Sequence, residues 1–228
     1  MDYEAIILLG GMGSRMRTDR NKVFLKIGER PILLHSILAF LQDENCVHLI
    51  LVGRTGELEA LSSLLPESRK DVTLTTGGKE RQDSVYEGLL KVKDLSKKVF
   101  IHDGARPFLT ETLLRSLKEF MKSERALLLG VPVKDTIKRV GAGENVQETV
   151  ERTNLWQAQT PQVFDGELIL EAHQKAQKQN FQGTDDVSLV EKFCPGVKVK
   201  MVMGSYENIK VTTPEDLVIG EAIYKNLS

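Results

Sequence analysis

The sequence predicts an α/β fold built on a mainly parallel sheet with helices on both faces. Short apolar runs alternate with amphipathic segments along the chain, the pattern of strand–helix units. Glycine-rich and polar loops follow the apolar runs, where a parallel sheet places its carboxyl ends. At 228 residues and 41% apolar content, the chain has enough material for such a core. No repeat, low-complexity tract or linker interrupts it, so a single domain over residues 1–228 is expected.

The expected strands are Tyr3–Leu9, His48–Val52, Val72–Thr75, Lys98–His102, Ala126–Val133 and Val197–Val202. Between them lie helical patterns at Ile32–Leu41, Glu57–Leu65, Gln82–Lys93, Glu111–Lys122, Gly166–Gln179 and Asp186–Phe193. Leu33, Leu34, Ile37, Leu38 and Leu41 recur at helical spacing, so the first helix buries one face. Thr213-Pro214-Glu215-Asp216 starts a last helix. Threonine can cap, proline suits the first helical position, and the acids oppose the helix dipole.

Lys134–Asn154 breaks this rhythm. Thr136, Ile137 and Val140, then Val146, Thr149 and Val150, flank the glycine turn Gly141-Ala142-Gly143. The pattern predicts a polar two-stranded arm. Such a hairpin is only marginally stable alone, and packing against a second copy of the chain would support it. A surface hairpin without that role fits the same pattern.

Chemistry gathers in the loops. Leu8–Met16 reads Leu-Leu-Gly-Gly-Met-Gly-Ser-Arg-Met at the end of the first apolar run. Glycines let backbone N–H groups approach an anion, and Arg15, with Lys22 beyond it, brings positive charge. A polyphosphate cradle and a plain strand-to-helix turn both fit this loop. The dinucleotide pattern fails at Met16, and the Gly-Lys-Ser/Thr of a P-loop is absent. Further loops are Gly77–Ser84, His102–Pro107 and Pro132–Thr136. Asp103 ends a strand, where it could share Mg²⁺ with phosphates or form a turn with Arg106. Ser84 could read a base or sugar, or simply sit near a helix start.

Composition excludes other classes. With 31 basic and 32 acidic residues and net charge −1, nothing predicts nucleic acid or an anionic membrane as partner. No apolar run reaches membrane-spanning length, and the opening Met-Asp-Tyr-Glu lacks the basic, apolar character of a signal. Cys46 and Cys194 are far apart and lack metal-ligand spacing, which predicts reduced thiols and a cytoplasmic setting.

Eight segments in order resemble the 2-C-methyl-D-erythritol 4-phosphate cytidylyltransferases of the non-mevalonate isoprenoid pathway. They are Gly10–Met16, Asn21-Lys22, Gly77–Val85, His102–Pro107, Pro132–Lys138, Arg152–Gln162, Gly183–Asp186 and Asn208–Asp216. The resemblance implies a Rossmann-like nucleotidyltransferase fold, CTP and a polyol phosphate as substrates, Mg²⁺, and a homodimer whose arm completes the partner's site. It implies that Arg15 and Lys22 stabilise the α-phosphate and leaving pyrophosphate, and that Arg152 and Lys210 hold the attacking phosphate. Asp103 would be the metal-linked acid, with Arg106 and Thr136 near the acceptor. Gly78, Ser84 and the Leu9, Gly10, Gly11 and Gly13 backbone would form the cytidine surface.

This chain departs from the family pattern in places. Leu9-Gly10 stands where two alanines are usual, Asn21 replaces a proline, Val23 a glutamine, and Gly104 an alanine. Leu9 brings bulk close to where the base is expected. Ribitol-5-phosphate cytidylyltransferases share the fold and loops, and a non-catalytic CTP-binding module would share the nucleotide surface. Leu155-Trp156 matches the methylerythritol group, and the intact set of cations matches a working enzyme.

Overall fold

The computed structural model describes residues 1–10 and 21–227. Seven strands form the central sheet: β1 (Tyr3–Leu8), β4 (Cys46–Gly53), β5 (Asp71–Thr76), β6 (Lys98–Asp103), β7 (Ala126–Pro132), β10 (Trp156–Asp165) and β11 (Val199–Met203). Their order is β11-β7-β10-β6-β1-β4-β5. All run parallel except β10, which pairs antiparallel with both β6 and β7. Two short pairs lie outside the sheet: β2 (Lys26–Ile27) with β3 (Arg30–Pro31), and β8 (Ile137–Val140) with β9 (Val146–Val150).

The six expected strands are present within two residues of their expected ends, and β10 is an addition. Glutamines, Thr160 and Pro161 obscure its apolar alternation. Pro161 sits where the ladder to β7 shifts register, between Ala158 and Gln162, so the missing N–H falls at an irregularity.

Helices α1 (Ile32–Gln42), α2 (Leu58–Leu64), α3 (Arg81–Leu89), α4 (Glu111–Phe120), α5 (Gly166–Lys178), α6 (Asp186–Phe193) and α7 (Pro214–Leu227) follow the expected pattern. The helix expected to reach Lys93 stops at Leu89. The buried Glu4 carboxylate accepts the N–H groups of Lys93 and Asp94, drawing that segment into a turn against β1.

Alternation in β1 supplies both faces of the core. Ala5 and Ile7 pack with Leu33, Ile37 and Phe40 of α1 and Leu113 and Leu117 of α4. Ile6 and Leu8 pack with Val85 and Leu89 of α3, Ile169 of α5 and Val190 of α6. Burial on both faces explains why the strands read as continuous apolar runs. A smaller cluster joins Ile27, Ile32, Phe108 and Val211 to Leu217 and Ile223 of α7.

Leu9 is fully buried, and its Cδ2 lies 2.4 Å from where a Cβ on Gly104 would stand. Its bulk is therefore absorbed in the core. Leu9 fills the space that an alanine at 104 would occupy, an exchange between the neighbouring strands β1 and β6. Gly104→Ala is expected to destabilise the fold by about 1–3 kcal/mol through overpacking. Adding Leu9→Ala should cost less than it does in the wild type. Urea unfolding of the two single variants and the double variant measures this coupling.

Candidate active site

The carboxyl ends of β1, β4, β5 and β6 converge, and two cavities open there. The larger, of about 510 Å³, is lined by Gly10, Gly53, Arg54, Thr55, Gly77, Gly78, Lys79, Glu80, Arg81 and Ser84. The smaller, of about 270 Å³, is lined by Arg81, Asp103, Arg106, Gln159, Asp185 and Lys210, among others. Arg81 belongs to both linings.

Glycines shape the larger cavity because α3 begins hard against them. A Cβ on Gly77 would stand 2.5 Å from Ser84 Oγ, and one on Gly78 would stand 2.3 Å from the Asp83 Cβ. The Ser84 hydroxyl donates to the Glu80 carbonyl at 3.1 Å, so the serine belongs to the first turn of α3 and also faces the cavity.

Asp103 anchors the smaller cavity. Its main-chain N–H donates to Thr160 Oγ1 at 3.0 Å. Its Oδ1 accepts from Arg81 Nε at 3.1 Å and its Oδ2 from Lys210 Nζ at 2.6 Å. Burial alone would raise this carboxyl, but the Arg81 and Lys210 cations outweigh it and hold it far below the usual carboxylate range. The expected turn with Arg106 is present, the Arg106 N–H donating to the Asp103 carbonyl at 2.9 Å, but the guanidinium does not pair with the carboxylate. Arg106 donates Nη1 to the Asn208 carbonyl at 2.7 Å instead, and burial lowers its pKa. Counting Asp185 in the lining and Asp186 behind Arg81, three carboxylates stand among the three cations Arg81, Arg106 and Lys210. Fixed ion pairs hold Arg81 and Lys210 in place at the cavity.

His102, buried beneath Asp103, has its pKa pushed down to about 4, mainly by burial. The neutral ring fits its contacts: Thr160 Oγ1 lies 3.0 Å from Nδ1, and Nε2 lies 3.2 Å from the Arg106 carbonyl. The threonine hydroxyl can thus accept from the Asp103 N–H and donate to the imidazole.

The other expected site residues fall in several places. Gly10 and Gly78 line the larger cavity, while Leu9 is buried in the core. Gly11, Gly13 and Arg15 lie outside the described residues. Lys22 begins a 3-10 turn at Lys22–Phe24 and lies outside both linings. Asn21 caps that turn and donates Nδ2 to the Leu9 carbonyl at 2.7 Å and to Glu57 Oε2 at 2.9 Å. It thereby ties the Lys22 segment to the end of β1. Thr136 and Arg152 sit exposed on the arm, away from both cavities of their own chain. Arg152 donates to the Lys134 carbonyl there.

Two contributors were missed in the sequence. Arg81 stood in view inside Gly77–Ser84, but only its place between the cavities marks it out. Arg54 follows β4 in a loop with no motif of its own. Among the described residues, no group of three or more histidine, cysteine, aspartate or glutamate side chains could hold a metal ion, and no helix is long and apolar enough to cross a membrane.

A mainly parallel, doubly covered sheet with cations and glycine turns at its carboxyl edge defines an α/β protein that handles phosphates. The comparisons narrow that class to nucleotidyltransferases. Residues 3–226 match the family model "IspD: 2-C-methyl-D-erythritol 4-phosphate cytidylyltransferase". Over 225 residues the chain is 47% identical to the enzyme of that name from Halalkalibacterium halodurans, covering 98% of this chain and 97% of that protein. It is 44% identical over 223 residues to the one from Clostridioides difficile, covering 97% and 93%. The solved 4-diphosphocytidyl-2C-methyl-D-erythritol synthase of Anaerococcus prevotii superposes with a TM-score of 0.87 at 30% identity, covering 98% of each chain. The chain belongs to the 2-C-methyl-D-erythritol 4-phosphate cytidylyltransferase family.

The His102 shift has a pH consequence. As pH falls through 6.5, the unfolded chain takes up a proton at this residue, while the folded chain does not until about pH 4. Stability should therefore drop by up to about 3 kcal/mol across that window. Urea unfolding from pH 7 to pH 4 measures the slope, which His102→Gln should flatten.

Proposed function

We propose that this chain joins CTP and 2-C-methyl-D-erythritol 4-phosphate to give 4-diphosphocytidyl-2-C-methyl-D-erythritol and pyrophosphate. The observation that carries this reading is the pair of adjoining cavities that share Arg81. One is of nucleotide size, and the other is a smaller pocket carrying Lys210, Arg106 and Asp103. Family membership supplies the identity of the two substrates.

The chemistry needs no nucleophilic side chain. An acceptor phosphate oxygen, already anionic at neutral pH, attacks the α-phosphorus of CTP. The bond to the β-phosphate breaks and its electron pair leaves with pyrophosphate. The obstacle is repulsion between anions, which fixed cations offset. Lys210, Arg106 and Arg81 hold the acceptor phosphate. Arg15 and Lys22 act on the triphosphate, and Gly10, Gly78 and Ser84 face the cytidine.

Mg²⁺ fits this site as an ion that arrives with the triphosphate. Each Asp103 oxygen accepts one N–H, which leaves lone-pair capacity, while the surrounding cations disfavour a dication not accompanied by phosphates. When bound, it neutralises charge on the triphosphate.

The arm, residues 134–154, serves dimerisation. Ile137, Val140 and Val146 are 36%, 51% and 61% exposed. Val140 and Val146 pair across the hairpin and Ile137 is on its other face, so the arm offers exposed apolar side chains to a second copy. In that dimer, Thr136 and Arg152 complete the partner's acceptor pocket. Cys46 and Cys194, both free and buried, suit the cytoplasm.

Pyrophosphate release with CTP and Mg²⁺ tests the reaction, comparing 2-C-methyl-D-erythritol 4-phosphate with D-ribitol 5-phosphate at equal concentration. Strong preference for the methylerythritol substrate is expected. Preference for ribitol phosphate, or silence with both, would overturn the assignment. Sharing of sites is tested by mixing Arg152→Ala and Lys22→Ala chains. Each homodimer should be nearly inactive, and a mixed dimer keeps one intact site of two. An equimolar mixture with random pairing, about half of it mixed dimers, should therefore recover about a quarter of wild-type turnover. No recovery would place both residues in the same chain's site.

A further inference from the structure

Arg81 is the first residue of α3, at the helix end whose dipole disfavours a cation. Two carboxylates hold it there. Its Nε donates to Asp103 Oδ1 at 3.1 Å, and its Nη1 lies 2.9 Å from Asp186 Oδ2 in an ion pair that is not aligned as a hydrogen bond. Asp186 opens α6 and is almost wholly buried. Its Oδ1 lies 3.2 Å from Nε2 of His173, a fully buried residue of α5. The His173 ring is stacked with Tyr86 at 6.4 Å between centroids, and its Nδ1 is buried with no hydrogen-bond partner among the described residues. Neither Asp186 nor His173 lines the two cavities.

We propose that Asp186 and His173 are positioning residues for Arg81, holding its guanidinium at the junction of the cavities, where it binds the phosphates that the reaction joins. The proposal rests on the cytidylyltransferase reading. An arginine with one carboxylate partner tends to close on it through two parallel N–H bonds. Closed in that way on Asp103, Arg81 would compete with Lys210 for Oδ2 and turn its tip from the cavities. The second carboxylate draws Nη1 away, so that Nε meets Oδ1 and Lys210 keeps Oδ2 at 2.6 Å. Five N–H groups serve a guanidinium, so Arg81 retains donors for a ligand after both pairs are made. Its side chain is 30% exposed, against 1% for Asp186.

His173 orients Asp186 in turn, by occupying the oxygen that Arg81 does not use. A phenyl ring of similar size would pack in its place without leaving a buried nitrogen unpartnered. What a phenyl ring lacks is the N–H directed at Asp186. That donor accounts for the histidine.

Steady-state kinetics with each substrate varied separately, thermal unfolding, and calorimetric binding of inorganic pyrophosphate test the proposal on Asp186→Asn, His173→Phe and His173→Gln. Asp186→Asn should raise the acceptor KM and lower kcat, each by tenfold or more, and weaken pyrophosphate binding about tenfold. His173→Phe should move the same constants in the same direction by less and add little when combined with Asp186→Asn. His173→Gln, which restores a donor, should recover most of the loss. Wild-type kcat, KM and pyrophosphate affinity in the folded variants, with only the unfolding temperature lowered, would overturn the proposal. If Asp186→Asn fails to fold, the two His173 variants decide by the same criteria. A wild-type chain silent with both substrates would overturn the functional reading instead, and pyrophosphate affinity would still judge the placement of Arg81.

Discussion

The Asp103 carboxylate, at the carboxyl end of β6, is the constraint around which the rest of the site is arranged. Its main chain is fixed by Thr160 of β10, and its two oxygens take one cation from α3 and one from the segment before α7. Four parts of the chain thus meet at one buried charge. Desolvation makes an unpaired carboxylate untenable here, and removing one partner from such a group typically costs about 3–5 kcal/mol. The cations it holds are also those that can meet phosphate. Packing and function are coupled because the same ion pairs that make the carboxylate tolerable set the spacing of the cations.

The core braces those cations from behind. Val211, next to Lys210, donates its N–H to the Ala105 carbonyl at 2.8 Å and packs with Ile27, Ile32 and Phe108. Ile27 lies in β2, a few residues beyond Lys22, and the Gly28 N–H donates to Glu221 of α7 at 2.9 Å. The small apolar cluster under α7 therefore holds the segments that carry Lys22 and Lys210. A C-terminal helix remote from the chemistry contributes to the site through this cluster and through the hydrogen bonds that Glu221 and Asp216 accept from Gly28 and Thr212.

Most of the architecture was legible because strands buried on both faces cannot hide their apolar character. Tyr3–Leu8, Cys46–Gly53 and Ala126–Pro132 announce themselves, and Thr213-Pro214 marks the start of α7. What escaped notice was β10, which carries Gln159, Thr160 and Gln162 because it lines the smaller cavity as well as completing the sheet. Asp103 and Lys210 were legible from motifs, and the structure brings them to 2.6 Å. The line from His173 through Asp186 to Arg81 was not. Its members come from three helices, and no local pattern distinguishes a buried ion pair between helices from ordinary surface charge.

The departures from the family pattern show the same limit from the other side. Taken singly, Leu9 crowds a nucleotide, Gly104 loosens a turn and Asn21 discards a rigid proline. The register of β1 against β6 pairs the first two: Leu8 stands opposite Asp103, which sets Leu9 beside Gly104, and one side chain fills the space that two alanines would divide. Asn21 supplies what proline cannot, a side-chain amide that donates to the Leu9 carbonyl and to Glu57 and accepts from the Val23 N–H. Each change that looks like a loss in isolation is matched by a contact to a residue distant in sequence. Core volume and buried hydrogen bonds are conserved across such neighbours rather than at single positions.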